Sequence, residues 1–217
     1  MSIPSVISDP SVVASILESM ALTESTLRDS VFQAYLHRVR LTPNHPPSFP
    51  GLEMWGWTVA SLREQLASSG WVAINFGNYS VTVHDSLPFA INVASGDEAT
   101  GVPGSSPNTR SKKGVNTSDA VLANSQQDWL AELLPEKKQK AEPASREFTT
   151  WLLLHFIDSK QKEIRIELSL PTAIDDGGWV TRWENRIMLK PISFDGDPIP
   201  NSMPPPVDPE INIRRKM

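Results

Sequence analysis

Apolar and polar residues alternate with a period of two in two separate blocks of this chain, residues 71–94 and 148–192, each bracketed by glycine or proline. A strand sends successive side chains to opposite faces, so the pattern specifies sheet twice over. In the first block, residues 71–76 lead through Gly77-Asn78 to Tyr79, Val81 and Val83, with Ser80, Thr82 and His84 between them. This predicts a hairpin, because a Gly-Asn pair suits the positive-φ turns that match strand twist. Residues 89–94 form a third strand. In the second block, residues 148–157 are nearly continuous aromatic and aliphatic, and 158–162 are turn-like. Ile164, Ile166, Leu168 and Leu170 then alternate with Glu163, Arg165 and Glu167. Asp175-Asp176-Gly177-Gly178 turns the chain into a last strand, 180–192, which Pro191 limits.

Helical spacing precedes the first block. Asp9 is placed to cap a helix that opens on Pro10, with Val12, Val13, Ile16, Leu17 and Met20 on one face. Thr23 can cap a second helix carrying Leu27, Val31, Tyr35 and Val39, ending near Thr42. Four prolines between residues 43 and 51 predict an extended connection, flanked by Trp55 and Trp57. A third helix is expected from about Thr58 to Ser68 on Val59, Leu62 and Leu66, with Gly70 as its left-handed stop. Further on, Thr117 or Ser118 can cap a helix bearing Val121, Leu122, Trp129, Leu130 and Leu133.

Helices followed by strands, rather than alternating with them, point to an α+β fold with antiparallel pairing. The expectation is N-terminal helices and then about six antiparallel strands in two groups, with the sharing of one sheet left open. Residues 95–116 are rich in glycine, serine, proline and threonine and are expected to form a flexible central insert. Residues 135–147, with Lys137, Lys138, Lys140 and Glu142, read as a solvated linker. Residues 195–217 read as an extended Pro-rich tail ending in Arg214, Arg215 and Lys216, which leaves 1–194 as one domain.

Several chemistries are excluded at once. Without cysteine there are no disulfides, thiolate metal sites or cysteine nucleophiles. His37, His45, His84 and His155 lack the i, i+4 pairing of a helical zinc site, so no metal is expected, and His155 reads as a core residue in an apolar strand. Asp175, Asp176, Asp195 and Asp197 suit turns rather than cation binding. No G-x-S-x-G elbow, P-loop or dinucleotide fingerprint occurs, so no catalytic residue is named, no cofactor is expected, and the reading leans away from an enzyme. Residues 1–27 carry no Lys or Arg, and the longest strongly apolar run, 151–157, is far short of the ~20 residues that span a bilayer. A cytoplasmic protein with no membrane role is therefore expected.

Two functional expectations follow. Large, rigid indoles suit interface centres, so Trp55 and Trp57, with Arg214, Arg215 and Lys216 of the tail, mark a non-enzymatic protein-interaction subunit or adaptor of a larger cytoplasmic assembly. Trp179 and Trp183, four apart in a strand, are expected in the core. The alternative is a nucleic-acid or nucleotide-phosphate binder using the Gly-rich basic loop 96–114, where Thr109, Arg110, Lys112 and Lys113 offer hydroxyl and cationic donors. Against it, Asp97 and Glu98 add repulsion, no aromatic side chain is interleaved for base stacking, and the composition equally suits a plain mobile loop. A net charge of -5 gives no whole-molecule attraction to nucleic acid.

Overall fold

The computed structural model describes residues 4–125 and 148–194. The chain runs β1 (Ser5–Ile7), α1 (Pro10–Ser19), α2 (Glu24–Arg38), α3 (Phe49–Leu66), β2 (Trp71–Phe76), β3 (Tyr79–His84), β4 (Phe89–Ser95), α4 (Val115–Asn124), β5 (Thr149–Asp158), β6 (Glu163–Ile174) and β7 (Val180–Ser193). Both strand groups join a single seven-stranded sheet of order β1-β7-β6-β5-β4-β3-β2. The α+β class stands, but the sheet is mixed: β4 runs parallel to β5, and β1 parallel to β7. This corrects the expectation of about six antiparallel strands. Parallel neighbours need a crossover, and the connection containing α4 carries the chain from the end of β4 back to the start of β5. With only three residues, β1 is too short for its periodicity to show.

Local signals explain most elements. The Asp9 carboxylate accepts from the Ser11 and Val12 amides and caps α1 at Pro10, and Thr23 accepts from the Thr26 amide to cap α2. Gly77 turns the β2–β3 hairpin at φ +56, with Phe76 opposite Tyr79. Gly70, at φ +80, reverses the chain between α3 and β2. Two helices start earlier than expected. α3 opens at Phe49, because Pro50 in its first turn gives up an N–H that has no helical partner there, so Trp55 and Trp57 ride on α3 rather than flank an extended connection. α4 opens at Val115 after Gly114, leaving Thr117 and Ser118 inside it. Trp129, Leu130 and Leu133, the linker 135–147, Asp195, Asp197 and the tail 195–217 lie outside the described residues.

The main core lies between the first three helices and one sheet face. Leu17, Leu27, Val31, Leu62 and Leu66 pack against Ile91, Leu153, Ile166, Leu168 and Ile187. The other face carries a smaller cluster of Ala94, Leu152, Leu154, Val180 and Trp183. Trp179 sits half-buried in the turn before β7, so only Trp183 of that pair is core. At the end of α4, the Asn124 amide donates to the carbonyls of Thr150 (2.8 Å) and Pro171 (2.9 Å), and its oxygen accepts from the Thr150 amide. One buried side chain thus ties β5, β6 and α4 together.

The segment expected as a flexible insert is folded onto the second face as a strap, residues 96–114. Its ends are stitched by a bridge between Gly96 and Thr109 and by the Arg110 amide donating to the Ser95 carbonyl. Its middle is held by a fully buried ion pair. Arg186 grips Glu167 with Nε (3.1 Å) and Nη2 (2.6 Å), and the free lobes of the pair reach the strap. Glu167 accepts from the Gly101 amide at 2.8 Å, and Arg186 donates to the carbonyls of Ser105 and Val102. The Trp183 indole adds a bond to the Pro107 carbonyl at 2.8 Å. Composition misleads here because the strap is ordered by polar groups of β6 and β7, not by apolar residues of its own. Its glycines serve the same packing. A Cβ on Gly101, at φ +72, meets Arg165 Cβ at 2.8 Å, and one on Gly96 collides with the buried Thr100 side chain.

Candidate functional site

Parallel pairing sets Ser95, the last residue of β4, directly beside His155 of β5. Period two places Ser95 with Ile91 and Val93, and His155 with Trp151 and Leu153, on the helix-covered face. The Ser95 hydroxyl lies 3.2 Å from His155 Nε2. Beyond this pair the apolar core gives out, and a small recess of about 30 Å³ opens. It is lined by Arg38 at the end of α2, Gly51 and Met54 of α3, Ser95, Gly96, Arg110 of the strap, and His155, Phe156 and Ile157 of β5.

Among the described residues, the lining holds two arginines and no carboxylate. Arg38 is half-buried, and burial holds its guanidinium below the ordinary value, with the positive charge of Arg110 acting in the same direction. His155 is 3% exposed. Burial first, then the charges of Arg38, Lys113 and Arg110, pull its imidazole down to about 3, so it is neutral at physiological pH. Its Nδ1 is buried with no hydrogen-bond partner. The first turn of α3 borders the recess at Gly51, adding the positive end of a helix dipole. Nearby, Phe156 receives the Arg165 guanidinium over its ring at 5.0 Å, which keeps that cation on the opposite side of β5.

The structure brings together some of the residues singled out from sequence and separates others. Of the four loop residues, Arg110 lines the recess and Lys113 contributes charge to His155. Lys112 is exposed, and Thr109 is buried with its hydroxyl donating to the Ser111 carbonyl at 2.9 Å. Asp97, read as repulsive to phosphate, accepts from the amides of Ala99 and Asn108 within the strap. Trp55 packs partly buried against the main core. Trp57 is 40% exposed, stacks on His37 with ring centroids 3.6 Å apart, and borders a shallow groove with Phe49, Leu52, Glu53, Gly56 and Ala60. Arg214, Arg215 and Lys216 lie outside the described residues.

Arg38 and Ser95 escaped the sequence reading, since a basic residue at a helix end and a serine closing a strand carry no local signal. The one available hint was His155, a polar residue in an otherwise apolar strand. Among the described residues no three His, Asp or Glu side chains gather as a metal site, and no helix is long and apolar enough to cross a membrane. The chain matches no family model, no curated protein and no solved structure.

Proposed function

We propose that this chain is a binding protein that captures the anionic head of a ligand in the recess between Arg38, Arg110, Ser95 and His155. The observation that supports it is a recess whose described lining residues include two arginines and no carboxylate, beside a buried histidine with an unsatisfied nitrogen. Charge-assisted hydrogen bonds from arginine to an oxyanion are the strong ones, and a partly dry recess weakens competition from water. This keeps Arg110 from the phosphate-binding alternative and replaces an extended nucleic-acid contact with a compact one. The test is calorimetric titration of inorganic phosphate into the full chain. Arg110→Ala is expected to weaken binding about 10- to 100-fold, the value of one charge-assisted bond, and binding is expected to weaken as salt rises. Equal affinity in the variant sinks the proposal.

A second reading, docking onto a protein partner within an assembly, is favoured by the groove of about 230 Å³ beside the exposed face of Trp57. Half-exposed indoles are frequent energetic anchors. Trp57→Ala is expected to abolish co-purification of a specific partner while leaving the melting curve nearly unchanged; undiminished recovery of that partner removes this reading.

A further inference from the structure

We infer that β2 is a self-association edge, along which a second copy of this chain pairs antiparallel to make one continuous sheet. β2 is the last strand at one border, and among the described residues only β3 pairs with it. Alternation sends Trp71 into the main core beneath the helices and Val72, Ile74 and Phe76 to the opposite face. There they stand beside Val83, Val81 and Tyr79, which form a small apolar cluster with Ala90. Val72, Ile74 and Phe76 are themselves 47%, 42% and 71% exposed, so the apolar surface runs out to the border without cover from the described residues. This border lies across β3 from the recess at β4 and β5, and neither site needs the other.

Sheet borders are ordinarily blunted by lysine, proline, bulges or brevity. β1, at the other border, is only three residues long. β2 has six, its register with β3 is unbroken, and from Trp71 to Val83 there is no charged residue and no proline, so a second copy meets no like charge along the strand. The backbone selects how that copy docks. Arg63 Nη2 donates to the carbonyls of both Ile74 and Val81, 3.1 Å from each, so this pair turns its polar groups inward between β2 and β3. Successive residues alternate, which points the amides and carbonyls of Ala73 and Asn75 to the open side. A twofold axis at Ile74 lets Ala73 exchange hydrogen bonds with Asn75 of the second copy. It also sets Val72 against Phe76 and Ile74 against Ile74 at the closer, non-hydrogen-bonded spacing. Moving the axis one residue either way puts Phe76 against Gly70 or Val72 against Asn78, so only the Ile74 axis matches every apolar side chain with another. A strand edge of this length covers on the order of 1,000 Å² over both copies, the floor for a specific interface, so the dimer is reversible with a dissociation constant on the order of 10–100 µM.

Sedimentation velocity of the full chain, run from about 2 to 500 µM, is expected to show the monomer giving way reversibly to a dimer. Ile74→Lys sets two ammonium groups on the axis and is expected to raise the dissociation constant by about tenfold or more. Because Ile74 is exposed, the variant is expected to keep the native circular dichroism melt. Ile74→Glu is expected to be equally monomeric, and an equimolar mixture of the two variants to regain the dimer, since residue 74 faces only itself across the axis. Hydrogen exchange on the native chain reads the same edge without a substitution: the Ala73 and Asn75 amides are expected to slow as concentration rises, while the Ile74 amide, already turned toward β3, hardly changes. A dimer indifferent to Ile74→Lys, or a mixture that stays monomeric, overturns the proposal. A monomer at every concentration also overturns it and leaves the border to a strand of another protein. Protection of Ala73 and Asn75 that dilution leaves unchanged does the same, by showing the edge covered within one chain.

Discussion

Glu167→Ala is expected to lower the unfolding free energy by about 3–5 kcal/mol, to be read from urea denaturation. The expectation follows from what the substitution leaves behind. Glu167 and Arg186 are both fully buried, and removing one carboxylate strands a guanidinium without its counter-charge. The same change deprives the Gly101 amide and the Ser169 hydroxyl of their acceptor. Arg186→Ala is expected to cost a similar amount, because it abandons the carbonyls of Val102 and Ser105 as well as Glu167. Replacing both partners by apolar residues of like volume is expected to cost far less than the two single losses summed, since no orphaned charge remains. The strap reports the mechanism directly: in Glu167→Ala the Gly101 amide exchanges with solvent faster than in the native chain, while amides of the β5–β6 pair keep their relative order. A single substitution costing less than about 1 kcal/mol shows that water reaches the pair, and removes it as the strap's anchor.

Acid is the second large lever. The His155 imidazole titrates at about 3 in the folded chain, against an ordinary value near 6.5. Above that ordinary value neither state holds the proton, and His155 contributes no pH dependence. Below it the unfolded chain binds a proton that the folded chain refuses, so stability falls by up to about 1.4 kcal/mol per pH unit until the folded value is reached. The accumulated loss approaches roughly 5 kcal/mol, most of the stability of an ordinary domain. His155→Gln removes this titration. Plotted from pH 7 down to 4, the variant's stability is expected to fall more shallowly than the native chain's, whatever its absolute level; parallel curves refute the assignment. The carboxylates titrate in both proteins and cancel from the comparison.

These two effects sit where sequence reading is weakest. The hairpin at Gly77, the caps at Asp9 and Thr23, and the alternation through Ile164, Ile166 and Leu168 were legible because each rests on residues adjacent in the chain. The parallel pairing of β4 with β5 was not, because relative strand direction is set by a crossover whose residues have no strong period of their own. The strap was misread for a related reason. A Gly-, Ser- and Pro-rich stretch lacks apolar residues to order it, and the groups that do so, Glu167 and Arg186, look in sequence like solvent-facing positions of alternating strands. The recess inherits this limit. Arg110 was visible in a basic cluster, but its meeting with Arg38, Ser95 and His155 depends on three elements converging at one end of a parallel pair.

The parallel join of β1 to β7 has a consequence for how the chain is made. Ser5 pairs with Asn185 and Ile7 with Ile187, so everything from β1 to β7 must leave the ribosome before this border of the sheet can form. Translation delivers the first three helices and the β2–β4 meander earlier, as a half-built platform, and β7 emerges only later to bind a β1 segment that has waited through the synthesis of every element between them.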